Sequence, residues 1–374
     1  MKFIVDKKDL LKWLELASRF VSRNSTLPIL ENVAISWNID TIELKATDMN
    51  KFIHISFPAK IESEWAITIN AKMLLDAIKV VDGEQVELEW KDDGTLLTIL
   101  ADNDKFEFKW ISINEYVAIP DIENMNNFSL QADVVSKWIE RVESSIPDKS
   151  FTTIITWMLL KWKENKLAFV WTDSFRLAEY KVDYNLDNDF ELVIPKNTIS
   201  EVKKVADLVL QEEWDENISI TYDNKLVSFK YNLWSFDIEI KTQIIQWTYP
   251  DYEKIILPSY NFRIIVDKVN LEKAIKKVSL FSKDISYFIK FIPDEETLII
   301  SSWETDLWEW VSKIWAIFEW ETVSLWLNGK SILDFLKYVE GEEVIFNIYD
   351  EEKPILIKDQ GDEAYRFIVR PLKD

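Results

Sequence analysis

The strongest constraint on this chain of 374 residues is that its apolar pattern comes round three times. A short strand followed by an amphipathic helix reads from Lys2-Phe3-Ile4-Val5 with Leu10, Leu11, Leu14, Ala17 and Phe20. It returns at Phe128-Ser129-Leu130 with Val134, Val135, Ile139 and Val142, and at Phe262-Arg263-Ile264-Ile265-Val266 with Leu271, Ala274, Ile275 and Val278. Apolar residues three and four apart mark one buried face on each helix. Phe3, Phe128 and Phe262 lie 125 and 134 positions apart. A strand ending in Thr-Asp recurs at Thr47-Asp48, Thr172-Asp173 and Thr305-Asp306, at intervals of 125 and 133. Each copy then continues through a strand, a second helix and another strand: Ile67-Thr68-Ile69 leads to Met73, Leu74, Ala77 and Ile78, and Val323-Ser324-Leu325 to Ile332, Leu333 and Leu336. Gly83 and Gly341 stand where two of these second helices should stop. Two independent markers in step define a repeat and predict three domains, 1–124, 125–252 and 253–374. Strands such as Val86-Glu87-Leu88-Glu89 alternate, as antiparallel sheets with one wet face require. The expected class is therefore α+β. Three like units in series can close a ring or stack in a line, and periodicity leaves both open.

Charge follows the same division. The net charge of −22 argues against a simple nucleic-acid binder. Yet the six helical segments carry 19 Lys and Arg against 9 Asp and Glu, while the remainder carries 25 against 57. If the helices share one side, that side attracts phosphates and the rest repels them, which would hold a duplex by its backbone without reading bases. The candidates for phosphate contact are Arg23, Lys137, Arg141, Lys203, Lys204, Lys273, Lys276 and Lys277.

Catalysis finds little material. The chain has no cysteine and one histidine, His54, alone between Ile53 and Ile55, so a histidine-based triad has one candidate and no surrounding motif. Asp48, Asp173 and Asp306 recur once per copy at strand ends, where a turn role suits them. No enzyme, metal site or cofactor is expected. The start turns charged before an apolar core forms, and no run nears the ~20 apolar residues that span a bilayer. The absence of cysteine fits a reducing cytoplasm.

Glycine is the anomaly: the chain has 5, beside 18 tryptophans, where a typical chain of this length holds about 26 glycines. Trp37, Trp65, Trp234 and Trp247 stand at positions that read as turns, and turns favour glycine for steric reasons. The expectation is that most of these tryptophans are UGA codons read as glycine in the source organism.

Four segments in order resemble one family. Met1-Lys2-Phe3 with Thr26-Leu27-Pro28-Ile29-Leu30-Glu31-Asn32, then Thr172-Asp173-Ser174-Phe175-Arg176-Leu177-Ala178, Tyr249-Pro250-Asp251-Tyr252 and Ile368-Val369-Arg370-Pro371-Leu372 are similar to the bacterial DNA polymerase III beta subunit, the sliding clamp. Trp157 and Trp247 fall where that family carries glycine. The resemblance implies a head-to-tail homodimer closing a six-domain ring around double-stranded DNA, lined by helices, which tethers the replicative polymerase. It implies a loader that opens the ring, and a partner-peptide groove shared by polymerase, clamp loader and repair proteins. Carried over, the groove comprises Ile155, Thr172, Ser174, Phe175, Arg176, Leu177, Pro250, Ile255, Ile368, Val369, Pro371 and Leu372. Phe175 replaces a frequent histidine and Arg370 an apolar methionine. The implied dimer contact joins Phe106 and Phe108 on an edge strand to Leu280 and Phe281 of another copy.

Overall fold

The computed structural model describes every residue except 1, 24, 39, 62–64, 91–95, 103, 124, 144–156, 187, 212–216, 233–235, 283–286, 303–309, 321–322 and 373–374. Six helices appear among the described residues, two per sequence copy: α1 (Lys7–Ala17), α2 (Ala71–Val80), α3 (Ala132–Glu143), α4 (Lys196–Gln211), α5 (Lys268–Ser282) and α6 (Gly329–Leu336). Their starts are written locally. Asp6 accepts from the amides of Lys8 and Asp9, Asn70 from Met73, Asp267 from Asn270 and Asn328 from Ser331, satisfying amides that have no partner inside a helix. The apolar faces are buried much as their spacing predicts: Leu10, Leu14 and Ala17 on α1, and Leu271, Ala274, Ile275 and Val278 on α5. Met73 is the exception, 58% exposed on α2.

The chain divides into two compact units, residues 1–135 with 200–245 and residues 136–199 with 246–374. The first holds two antiparallel sheets. A five-stranded sheet runs in the order Lys60–Ile61, Lys2–Asp6, Gln85–Trp90, Leu96–Ala101, Asp104–Lys109. A nine-stranded sheet joins five strands of the first sequence copy to four of the second, through Lys51–Pro58 against Asp237–Gln243 with Ile53 opposite Ile240. The helix α1 packs on this unit through Trp13, fully buried and 5.2 Å from Phe236. The second unit holds a twelve-stranded sheet, in which strand Arg176–Asp183 pairs with Asp362–Val369 and Ala178 lies opposite Phe367. Both joins are backbone ladders buried on one face, which fixes their register.

The repeat extends to single hydrogen bonds. The Lys7 amide donates to Glu84 O at 2.9 Å and the Lys268 amide to Glu342 O at 2.8 Å. The ammonium of Lys7 donates to Val81 O and that of Lys268 to Val339 O. The Thr-Asp marker is one turn built twice. Thr47 Oγ1 donates to Lys51 O, and Asp48 Oδ1 accepts from the amides of Asn50 and Lys51. Thr172 and Asp173 repeat those bonds toward Arg176, Phe175 and Arg176. Thr305-Asp306 lies outside the described residues.

Two local readings need correction. Trp37 lies inside strand Asn32–Asn38, 4% exposed and opposite Ile42, and Trp65 opens strand Trp65–Asn70 opposite Trp37, so neither is in a turn, while Trp234 lies outside the described residues. Gly341 follows α6 for space, not handedness: a Cβ there would stand 2.1 Å from Asp359 Oδ1, whose carboxylate accepts the Gly341 amide. Gly83, with φ of 96°, is the left-handed one.

Candidate peptide groove and phosphate-facing cations

The Thr172–Asp173 turn, the strand that follows it and strand Asp362–Val369 together border a groove. It has a volume of about 440 Å³ and lies wholly in the second unit. Seven of the groove residues read from sequence line it: Thr172, Ser174, Phe175, Arg176, Leu177, Ile255 and Ile368. Glu352, Lys353, Pro354 and Arg370 complete the lining. Val369 is buried behind it in the ladder, opposite Ile355 and Arg176. Pro250, Pro371 and Leu372 do not line it, and Ile155 lies outside the described residues. Sequence reading missed the turn at Glu352–Pro354, whose only local signal is Asp350 accepting from the amides of Glu352 and Lys353.

Its floor is apolar and fixed. Leu177 and Ile368 face each other across the ladder and are 2% and 3% exposed. The wall bearing Ile255 is held by Tyr252, whose hydroxyl donates to the fully buried Glu179 at 2.9 Å. Burial, reinforced by the Glu179 charge, pushes the Tyr252 hydroxyl far above its ordinary pKa, so the donor stays protonated. Arg176 orients the turn through Asp173 at 3.0 Å and Asp334 at 2.9 Å. Phe175 stands 68% exposed at the mouth. Burying one large apolar side chain in such a groove is worth about 1.5–3 kcal/mol.

The cations divide by environment. Lys273, Lys276 and Lys277 are exposed along α5, with Lys276 paired to Glu272. Lys203 pairs with Asp207, Lys204 with Glu201 and Lys137 with Glu340, each at 2.8 Å. Arg23 is exposed and lines a second cavity of about 500 Å³ with Lys72, Asn70 and Glu31. Arg141 must be withdrawn from the phosphate candidates. Its side chain is 3% exposed, paired to Glu340 at 2.9 Å and Asp362 at 2.8 Å, and lies over the rings of Tyr180 and Tyr365. A charge so held ties the strand 362–369 to α3, and has no free donor face for a duplex.

Phe106 and Phe108 are half-buried on the outermost strand of the five-stranded sheet, their rings 6.3 Å apart. Leu280 is 61% exposed. The Phe281 side chain lies outside the described residues.

Three repeated α+β units joined strand to strand define the class of DNA-clamp folds. The descriptions "DNA polymerase III beta subunit, N-terminal domain", "central domain" and "C-terminal domain" match residues 1–120, 129–251 and 254–373, so the chain belongs to the DNA polymerase III beta-subunit family. It is 24% identical to the beta sliding clamp of Chlamydia pneumoniae over 377 residues, covering all of this chain and 99% of that one. The DNA polymerase sliding clamp of Bacillus subtilis superposes with a TM-score of 0.91 at 24% identity, over 100% of this chain and 99% of that one. The C. crescentus beta sliding clamp, solved with polyethylene glycol bound to its putative beta-motif tethering region, gives a TM-score of 0.92 at 20% identity, with 100% and 99% coverage. The function of the family is a non-catalytic one: the chain is a processivity factor for a DNA polymerase. No helix among the described residues is long and apolar enough to cross a membrane.

Proposed function

We propose that two copies of this chain close head to tail into a ring around duplex DNA, and that the groove beside Leu177 captures short peptides of the replicative polymerase, the clamp loader and repair proteins. The three-part division at 1–124, 125–252 and 253–374 and a cytoplasmic location belong to the same reading.

One observation carries it. Among the described residues each chain makes two strand-to-strand joins, and two further strand edges take part in neither. In the first, Ile53 meets Ile240; in the second, Ala178 meets Phe367. The ladder Leu88–Ile99–Phe106 repeats Ile220–Phe229–Ile240 and Phe346–Ile357–Phe367, so Phe106 holds the place of Ile240 and Phe367. Likewise Ser301 opposite Val311 repeats Lys45 opposite His54, so Trp310 holds the place of Ile53 and Ala178. The outer edge of strand Asp104–Lys109 and the free side of Val311–Trp315 have no ladder partner among the described residues. Unpaired edges recruit another chain. A second copy supplies the missing half at each end, with Phe106 opposite Trp310. Sliding contacts are weak and sequence-blind, so an acidic exterior does not conflict with enclosing DNA.

A cysteine-free chain makes the test clean. Phe106→Cys with Trp310→Cys should oxidise to a covalent dimer of 44.3 kDa chains, since directly opposed residues lie within disulfide reach. Phe106→Cys with Ser312→Cys, two residues out of register, should not. Equal cross-linking of both pairs, or none with a monomeric mass in small-angle scattering, overturns the proposal.

A further inference from the structure

We propose that three carboxylates on the helices, Glu201, Asp207 and Glu272, compete with DNA for the phosphate-facing cations, so that an encircled duplex is touched without being gripped; this rests on reading the helices as the side that meets DNA. The cationic excess of the helical segments does not require such an arrangement, since their few acids could stand anywhere. Instead they stand against the candidate phosphate contacts. On α4, Lys204 pairs with Glu201 three residues before it and Lys203 with Asp207 four residues after it, each at 2.8 Å. On α5, Lys276 pairs with Glu272 four residues before it. These spacings make the partners neighbours on the helix surface. Lys273 and Lys277 form no ion pair among the described residues, and they supply the standing attraction.

Glu201 shows the arrangement most clearly. The residue is 8% exposed. Its Oε1 accepts from the Lys204 ammonium, while its Oε2 is buried with no hydrogen bond among the described residues and lies 3.6 Å from the Arg19 guanidinium. Its charge also reaches Lys51, which donates to Arg19 O at 2.8 Å. A carboxylate taken out of water is unfavourable unless cations surround it, and an apolar side chain of similar volume often serves packing as well. The carboxylate here therefore acts on its cations. The side chains of Arg19 and Lys204 remain 45% and 48% exposed, so both heads can meet a second anion while Glu201 holds them. Partly exposed pairs of this kind are weak enough to exchange. A lysine shared with a carboxylate gains less from a phosphate, and returns to the carboxylate when the phosphate moves on. No charge is stranded at any step, which is the condition for contact without pinning.

Anisotropy of a short labelled duplex over a salt series tests this on the full chain. Asp207→Asn and Glu272→Gln change part-exposed carboxylates, and Glu201→Gln the buried one. Each should tighten association about threefold at low salt and steepen the dependence of log affinity on log salt by about 0.9 for each cation released to a phosphate. A purely structural role would leave that slope where it is. Glu363→Gln removes the same charge from a pair with Lys358 on a strand, and should leave the slope unchanged. A slope that stays put in both Asp207→Asn and Glu272→Gln, or that Glu363→Gln moves equally, overturns the role of the helix carboxylates while leaving the helices as the side that meets DNA. An unsubstituted chain whose association shows no salt dependence overturns that reading and this inference together.

Discussion

Met49 and Ser174 occupy the same place in two copies of one turn, with φ of 79° and 72°. Left-handed backbone costs a residue with a Cβ about 1–2 kcal/mol, and the Thr-Asp hydrogen bonds on either side hold both residues there. Ser174→Gly should therefore raise stability, by less than about 1 kcal/mol because glycine also frees the unfolded chain. Urea denaturation reads the difference; an unchanged or lowered midpoint would mean that the turn is relaxed as it stands. The tryptophans separate on similar grounds. Trp13 and Trp171 are fully buried, whereas Trp247, Trp315 and Trp320 are 58%, 57% and 65% exposed, and Trp320 has φ of 70°. Exposed, left-handed Trp320 is the position where glycine fits best, and mass spectrometry of the protein from its own organism decides it. The turn role of Asp48 and Asp173 was legible because Thr and Asp bond their own backbone. The fate of Arg141 was not. An arginine at helical spacing looks the same in sequence whether it faces solvent or lies between two tyrosines.

Among elements, strand Lys51–Pro58 shows what a join asks of its outer face. His54 is registered between Lys45 and Glu239, and Glu43 lies 3.4 Å from His54 and 2.8 Å from Lys45. The nearby His54 ring, helped by Lys45, holds the Glu43 carboxyl down at about 2 from an ordinary 4.5. A depressed carboxyl contributes stability that is present above 4.5 and lost as pH falls through 2. Because the group is partly exposed, the contribution is below about 1 kcal/mol. Denaturation midpoints from pH 5 to pH 2 should thus fall less steeply in Glu43→Gln than in the unsubstituted chain; parallel profiles would remove the cluster from the acid response. Helices and their order were readable because a period near 3.6 is a local signal. Which strand meets which was not, since alternation marks a face and names no partner. The groove inherits that limit. Its strand residues were found, but the turn at Glu352–Pro354 comes from another part of the chain.

For the whole molecule, the separation of charge between the helical segments and the rest of the chain is the quantity that bears on DNA. Changing Lys273, Lys276 and Lys277 to glutamine should weaken non-specific DNA association and flatten its dependence on log salt by about 0.9 per lost phosphate contact. Lys276 counts least, being paired to Glu272. Anisotropy over a salt series measures the slope, and an unchanged slope removes α5 from the contact surface. Ring and line were indistinguishable from periodicity; two matching unused strand edges favour closure. The shared sheets have one more consequence, for heredity rather than mechanics. The middle third gives four strands to the nine-stranded sheet and four to the twelve-stranded one. It owns no complete sheet, so it is not a module that recombination can lift out and exchange. A segment transplanted from a relative must arrive with compatible side chains at both Ile240 and Ala178, because its two borders were shaped by different neighbours.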